Sequence, residues 1–279
     1  MVTITDGRTG RPAEVPSARH GLLRLCEHLA MPGGAPGTGD MRVVVVGDVL
    51  LRVLERTGVQ VAMVWDVPDG TAAESPAPFH PVVAALGAHP PSDVVRGAGV
   101  TAALGGQPDV RVGPAPGGND GPGGNGSTDG NGSTRGSTGG AAGGGGGEGA
   151  WLRIGPATAE PLPAPEQGGS DLLAVRLALL DLPHGDPAKL DRRSLEAADE
   201  ELRRWRALTA RWATSPSRPV PPELRRQAES RLADDLDTRA VLDLLREIAT
   251  SDAVPDGVKF ETFALLDGVL GLELAREVG

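Results

Sequence analysis

Apolar positions recur at helical spacing through the second half of the chain. Leu224, Ala228, Leu232 and Leu236 step by four, and after an acidic corner Val241, Leu244, Leu245 and Ile248 form a second stripe. This predicts two amphipathic helices meeting at an elbow over residues 233–238, with the Thr238 hydroxyl as the expected cap of the second. Upstream, Leu195, Ala198, Leu202, Trp205 and Trp212 recur behind Ser194, another expected cap, and both tryptophans read as core. From residue 171 onward the pattern predicts about five helices with breaks near 183–187, 215–222 and 251–257. Phe260, Phe263 and Leu270 should close the last of these, which Gly271 ends.

The first half has a different rhythm. Residues 21–29, GLLRLCEHL, hold an apolar run short enough for a buried strand, and residues 59–67, VQVAMVWDV, alternate like a second strand of a parallel β-α-β unit. Between them, residues 41–58 support two readings. Four consecutive valines favour a strand, whereas Val43, Val46, Leu50, Val53 and Leu54 fall on one face of a helix. Two strands and one helix are marginal alone, so this part should pack its valine face, residues 43–54, on the helical second half. Residues 114–150 form a Gly/Ser/Asn tract with too little apolar surface to offset the entropy of ordering it. The expected organisation is therefore an α/β part over 1–113, a disordered linker over 114–150, and an all-α helical bundle over 151–279.

Composition narrows the chemistry. With 41 Gly and 25 Pro, less of the chain can pack than its 279 residues suggest. A formal charge of −10 argues against non-specific nucleic-acid binding, so any RNA contact needs a local basic face. Arg203, Arg204 and Arg211 on one expected helix, with Arg225 and Arg226 on the next, are the candidates. The plainer reading is a solvated surface balanced by Glu200, Glu201, Glu223 and Glu229. Cys26 is the one cysteine, which excludes an internal disulfide and points to a reducing compartment. No apolar run of about 18 residues appears, so the expectation is a cytoplasmic protein. His20, His28, His80, His89 and His184 show no metal-ligand spacing with Cys26 or with each other. GGGGGEG in the Gly-rich tract lacks the Lys-Ser/Thr of a phosphate-binding loop.

The acidic elbow resembles the "DDxNTP" corner of cysteinyl-tRNA synthetases and of the related ATP-dependent cysteine:glucosaminyl-inositol ligases, with Asp234, Asp235, Asp237 and Thr238 on four of its places. DLLAVRLALL over 171–180 is similar to the family's "DPAxxRLALL", ELRRWRAL over 201–208 to its "LxRWRAA", and residues 257–274 to its closing helix. Residues 6–15 look like its opening hairpin. The resemblance implies a class I, Rossmann-like nucleotide domain in the first half and the helical reading of 41–58. It puts Cys26 at the family's first zinc-ligand cysteine. It also implies losses. Where the family has His-Ile-Gly-His for the ATP phosphates, this chain has Gly37, Thr38, Gly39 and Asp40, so Gly39 is the remnant of that signature. Trp65 replaces a threonine that helps hold the amino acid, and neither lysine of the "KMSKS" loop is present. The expectation is a non-catalytic paralogue with no catalytic residues, its zinc and ATP lost, acting as a binding or scaffolding protein. Its partner would be tRNA or an intact synthetase-like or pathway enzyme. The alternative is an active ATP-dependent cysteine ligase with a divergent site.

Overall fold

The computed structural model describes residues 1–16, 21–31, 36–68, 81–114, 149–159 and 171–279. His20 and His80, and nearly all of the expected linker, lie outside these residues.

Alternation in the first half produces a mixed seven-stranded sheet, ordered β2-β1-β7-β6-β3-β4-β5. Its strands are β1 (Thr3–Asp6), β2 (Arg11–Glu14), β3 (Leu22–His28), β4 (Gln60–Asp66), β5 (Asp93–Val95), β6 (Val110–Gly113) and β7 (Ala150–Arg153). β3 to β7 are parallel, with the first of them central, the next two on one side and the last two on the other. That is the strand order of a Rossmann-like sheet. The β1–β2 hairpin extends it in antiparallel fashion beside β7. The expectation of two strands thus falls short. β5, β6 and β7 are three or four residues long, too short for a period to show, and β7 follows the Gly-rich tract.

Residues 41–58 resolve as the helical alternative. α1 (Thr38–Arg56) buries Val43 to Val46 on all sides, with the sheet beneath and later helices above. Tertiary burial here outweighs the strand preference of the four valines. Two short helices, α2 (Pro81–Ala85) and α3 (Gly99–Ala103), flank β5. Side chains on β3 and β4 divide by parity: Leu23, Leu25, Met63 and Trp65 join the main core with α1, whereas Cys26 and Val64 join Val100 and Leu104 of the α3 region.

The second half contains α4 (Leu172–Leu180), α5 (Arg192–Trp212), α6 (Pro222–Ala233), α7 (Thr238–Thr250) and α8 (Asp256–Leu270), with breaks where the pattern put them. A two-stranded ribbon of β8 (Ala157–Ala159) and β9 (Ala188–Leu190) precedes and follows α4. Trp205 and Trp212 are fully buried and meet the Phe263 ring edge-on at 5.7 and 5.1 Å. Gly271, at φ 63°, ends α8. Both expected caps are displaced by the preceding aspartate. Asp191 accepts the Ser194 N–H at 2.8 Å, and Asp237 accepts the Ala240 N–H at 3.0 Å. Thr238 instead donates its hydroxyl to the Leu180 carbonyl at 2.7 Å, tying α7 to α4. A single apolar cluster runs from Val2, just before the first strand, to Leu274 beyond the last helix.

Two buried arginines join the parts. Arg42 of α1 donates to the carbonyls of Gly155, Pro156, Pro183 and Asp186, fixing the connections around β8. Arg176 of α4 donates to Leu86 and Leu270 carbonyls and to Asp48 of α1.

Candidate functional site

Sheets of this order bind ligands where neighbouring strands run to opposite sides, outside their carboxyl ends. Here that crevice lies between β3 and β6 at the start of α1. A pocket of about 260 Å³ occupies it, lined by His28, Thr38, Gly39, Asp40, Gly155 and Pro156 among others. Gly39 faces open space, since a Cβ added there would meet nothing within 4 Å.

A helix start normally offers free N–H groups to an anion. At α1 an internal carboxylate, Asp40, places a negative charge in the first turn. Asp40 accepts the N–H groups of Gly37 at 2.8 Å, Ala30 at 2.6 Å and Met31 at 3.1 Å, and it is buried. It caps the helix and pins the preceding loop, whose Met31 holds a left-handed φ of 45°.

One turn deeper, three chemically capable groups converge. Cys26 and His28 are two apart on β3 and so share a face, and parallel register sets His28 opposite Asp66 of β4. Cys26 Sγ lies 3.7 Å from His28 Nε2, and His28 Nδ1 lies 3.0 Å from Asp66 Oδ2. One donor atom from each falls within 4.8 Å of the others. With Asp66 accepting from Nδ1, the network assigns Nε2 as the nitrogen that faces the thiol. Asp66 is itself held by the Gly97 N–H at 2.6 Å, and the His28 ring stacks on Trp151 of β7 at 4.8 Å and 13°. Burial, and after it the Asp66 charge, pushes the Cys26 thiol up to about 12, so it is a neutral S–H at physiological pH. Burial raises the Asp66 carboxyl too, but the His28 and Gly97 hydrogen bonds outweigh it and hold Asp66 below its ordinary value. A thiol this protonated is a poor nucleophile. The three donors do suit the zinc that the resemblance implies. In a tetrahedral site, Zn–S near 2.3 Å and Zn–N near 2.05 Å set sulfur and nitrogen about 3.5 Å apart, close to the 3.7 Å between Sγ and Nε2. The absence of metal-ligand spacing expected from the sequence is therefore corrected. The signal was a Cys-x-His on a strand, where alternation brings i and i+2 together.

The remaining candidates are dispersed. His89 binds Asp48, 2.6 Å away, on the other face of the sheet. His184 contacts the Asp235 carbonyl at 2.8 Å in a separate groove of about 690 Å³ beside the acidic elbow. Arg203, Arg204 and Arg226 are exposed and pair within their own helices with Asp199, Glu201 and Glu223. Arg211 and Arg225 are exposed. Two functional-looking groups escaped the sequence pattern. Glu27 is a fully buried acid bonded to Trp65 Nε1 at 2.8 Å, and Asp48 is a buried carboxylate shared by Arg52, His89 and Arg176. Neither has a local motif, because apart from Arg52, four residues from Asp48, their partners lie 38 to 128 residues away. Among the described residues, no helix is long and apolar enough to cross a membrane.

No family model matches the chain. It is 34% identical over 106 residues to an L-cysteine:1D-myo-inositol 2-amino-2-deoxy-alpha-D-glucopyranoside ligase of Acidothermus cellulolyticus. The matched stretch is 38% of this chain and spans about a quarter, 25%, of that relative's length. This similarity to a cysteine ligase bears out the resemblance carried by the motifs.

Proposed function

We propose that this protein is a cysteine-ligase-like binding or scaffolding protein that does not adenylate, acting in the cytoplasm on a protein partner such as an intact synthetase-like or pathway enzyme. The observation that carries this is the Asp40 carboxylate in the first turn of α1, which accepts the Gly37 N–H of the helix cap and the Ala30 and Met31 N–H groups of the segment after β3. In the resembled enzymes that helix start faces the ATP phosphates. A triphosphate approaching this one meets a fixed anion whose hydrogen-bond partners are already engaged, and like charge at short range opposes it. Adenylation needs groups that stabilise charge as it develops on the phosphates. Thr38, Gly39 and Asp40 line the pocket without a cation among them.

A protein partner is favoured over tRNA by the arginines. Arg203, Arg204 and Arg226 are engaged with carboxylates three or four residues away, leaving Arg211 and Arg225 as the less committed pair of the five. Two contacts on a chain of charge −10 supply little counterion release.

A second reading, an active ligase with a divergent site, is favoured by the Cys26–His28–Asp66 cluster at the carboxyl end of β3 and β4. Cysteine-dependent exchange of pyrophosphate into ATP separates the two. The purified full chain is expected to give exchange at the no-enzyme background, with or without added zinc. Cysteine-dependent turnover above that background would establish the ligase reading.

A further inference from the structure

We propose that His184 is a pH-sensitive clamp: its imidazolium holds the acidic elbow in place, and loss of its proton as pH rises through the neutral range lets the elbow open. The inference is independent of whether the protein adenylates. It concerns the groove of about 690 Å³ lined by the elbow, the connection between α4 and β9, the end of β7 and the β1–β2 hairpin. The elbow is one wall of that groove, so its opening reshapes the groove.

Both ring nitrogens of His184 face acceptors. Nε2 lies 2.8 Å from the Asp235 carbonyl oxygen and 3.5 Å from Asp235 Oδ1, and Nδ1 lies 3.4 Å from the Arg153 carbonyl oxygen. A neutral imidazole carries one N–H and leaves its other nitrogen as a lone pair facing oxygen, whereas the imidazolium donates in both directions. The His184 side of the contact is firmly held. Its carbonyl accepts the Gly155 N–H at 2.8 Å, and buried Arg42 donates to the carbonyls of Pro183 and Asp186 on either flank. The elbow is the side that yields, because Asp235 and Leu236 hold left-handed φ of 52° and 53°, which residues with a Cβ adopt at a cost.

The charges lining the groove favour the protonated ring. Asp186 comes from the same connection and Asp234, Asp235 and Asp237 from the elbow, against Arg153 of β7 and Arg239 of α7, while the hairpin contributes Thr5, Gly7 and Gly10 and no charge. Burial lowers the His184 pKa, but the hydrogen bond and charge of Asp235 outweigh it and raise the imidazole above its ordinary value. Burial raises the Asp235 carboxyl, but bonds from His184 and Thr5 outweigh it and hold Asp235 below its ordinary value. A histidine raised on folding contributes its full stability below its unfolded pKa, and that contribution is lost as pH rises through the folded one. Above that, Asp235 keeps the Thr5 N–H at 2.7 Å but loses its cation, so the elbow opens more often without detaching for good.

The test is amide hydrogen exchange of the full chain at pH 6 and pH 9, corrected for the intrinsic pH dependence of exchange, with α8 as the internal reference. In the wild type, protection over residues 233–240 is expected to fall severalfold relative to α8 between the two values. In His184→Gln, which keeps a hydrogen-bonding side chain but does not titrate there, the ratio should be the same at both. An unchanged ratio in the wild type, or a fall that persists in His184→Gln, would overturn the clamp. Should His184→Gln not fold, the ring titration of wild-type His184 followed by NMR decides. A pKa above the ordinary histidine value of about 6.5 supports the clamp, and one at or below it overturns the clamp.

Discussion

Glu27 shows how one residue sets a pH dependence for the whole fold. Its side chain is fully buried between β3 and α1, with Oε2 bonded to Trp65 Nε1 and Oε1 without a partner beside Gly47. A Cβ at residue 47 would come within 1.9 Å of Oε1, so glycine is what lets α1 lie over this acid. Burial raises the Glu27 carboxyl well above its ordinary value, with the Trp65 bond a smaller opposing effect and the Asp48 charge a further rise. The folded protein therefore keeps a neutral acid that the unfolded chain ionises above about pH 4.3. Stability from this group is whole below that pH and falls as pH rises toward the folded value. Each unit of separation costs about 1.4 kcal/mol at high pH. Glu27→Gln should stabilise the protein at pH 8 and leave it nearly unchanged at pH 4, measured by urea unfolding at both. An equal effect at the two pH values would show that Glu27 is ionised in the fold.

At the scale of elements, the acidic elbow between α6 and α7 is the informative case. Asp235 and Leu236 adopt left-handed φ of 52° and 53°, costly for residues with a Cβ. The turn persists because it is held from elsewhere. The Asp235 N–H donates to the Thr3 carbonyl at 2.8 Å, and its carboxylate accepts the Thr5 N–H at 2.7 Å and hydroxyl at 2.9 Å. The elbow is thus docked on β1, about as far away in sequence as the chain allows. Removing the cap alone, Asp237→Ala, should cost about 1 kcal/mol, read as a lower denaturant midpoint at unchanged slope. A silent substitution would return the capping role to Thr238. Helix number and breaks in the second half were legible because each helix carries an amphipathic stripe. Cap identity was not, since Thr238 directly follows Asp237 and Ser194 comes three residues after Asp191, aspartates of similar capping propensity, and only the backbone geometry chooses. β5 to β7 were illegible for want of length. The β3–β4 site was half legible: Cys26 stood out by rarity, while its neighbours His28 and Asp66 needed the strand register to join it.

At the scale of the molecule, sheet and helices share one core, stapled by Asp48. Its carboxylate receives Arg176 from α4, Arg52 from its own helix, and both His89 groups from the segment after α2. Burial favours the neutral acid, but the His89 and arginine partners outweigh it and hold Asp48 well below the carboxylate range. This junction favours the fold above about pH 4 and weakens only under strong acid. One core and one junction make a single cooperative unfolding transition the natural behaviour. The helix start at Asp40 belongs to that same unit, so a nucleotide bound there would register as stability of the whole protein. The most direct measurement is the melting temperature of the full chain across a Mg-ATP titration into the millimolar range. A helix start that carries the Asp40 anion predicts no saturable rise. A rise that saturates with ATP, and is not matched by pyrophosphate-free adenosine, would mean that phosphates do seat at α1 and would contradict the non-adenylating account.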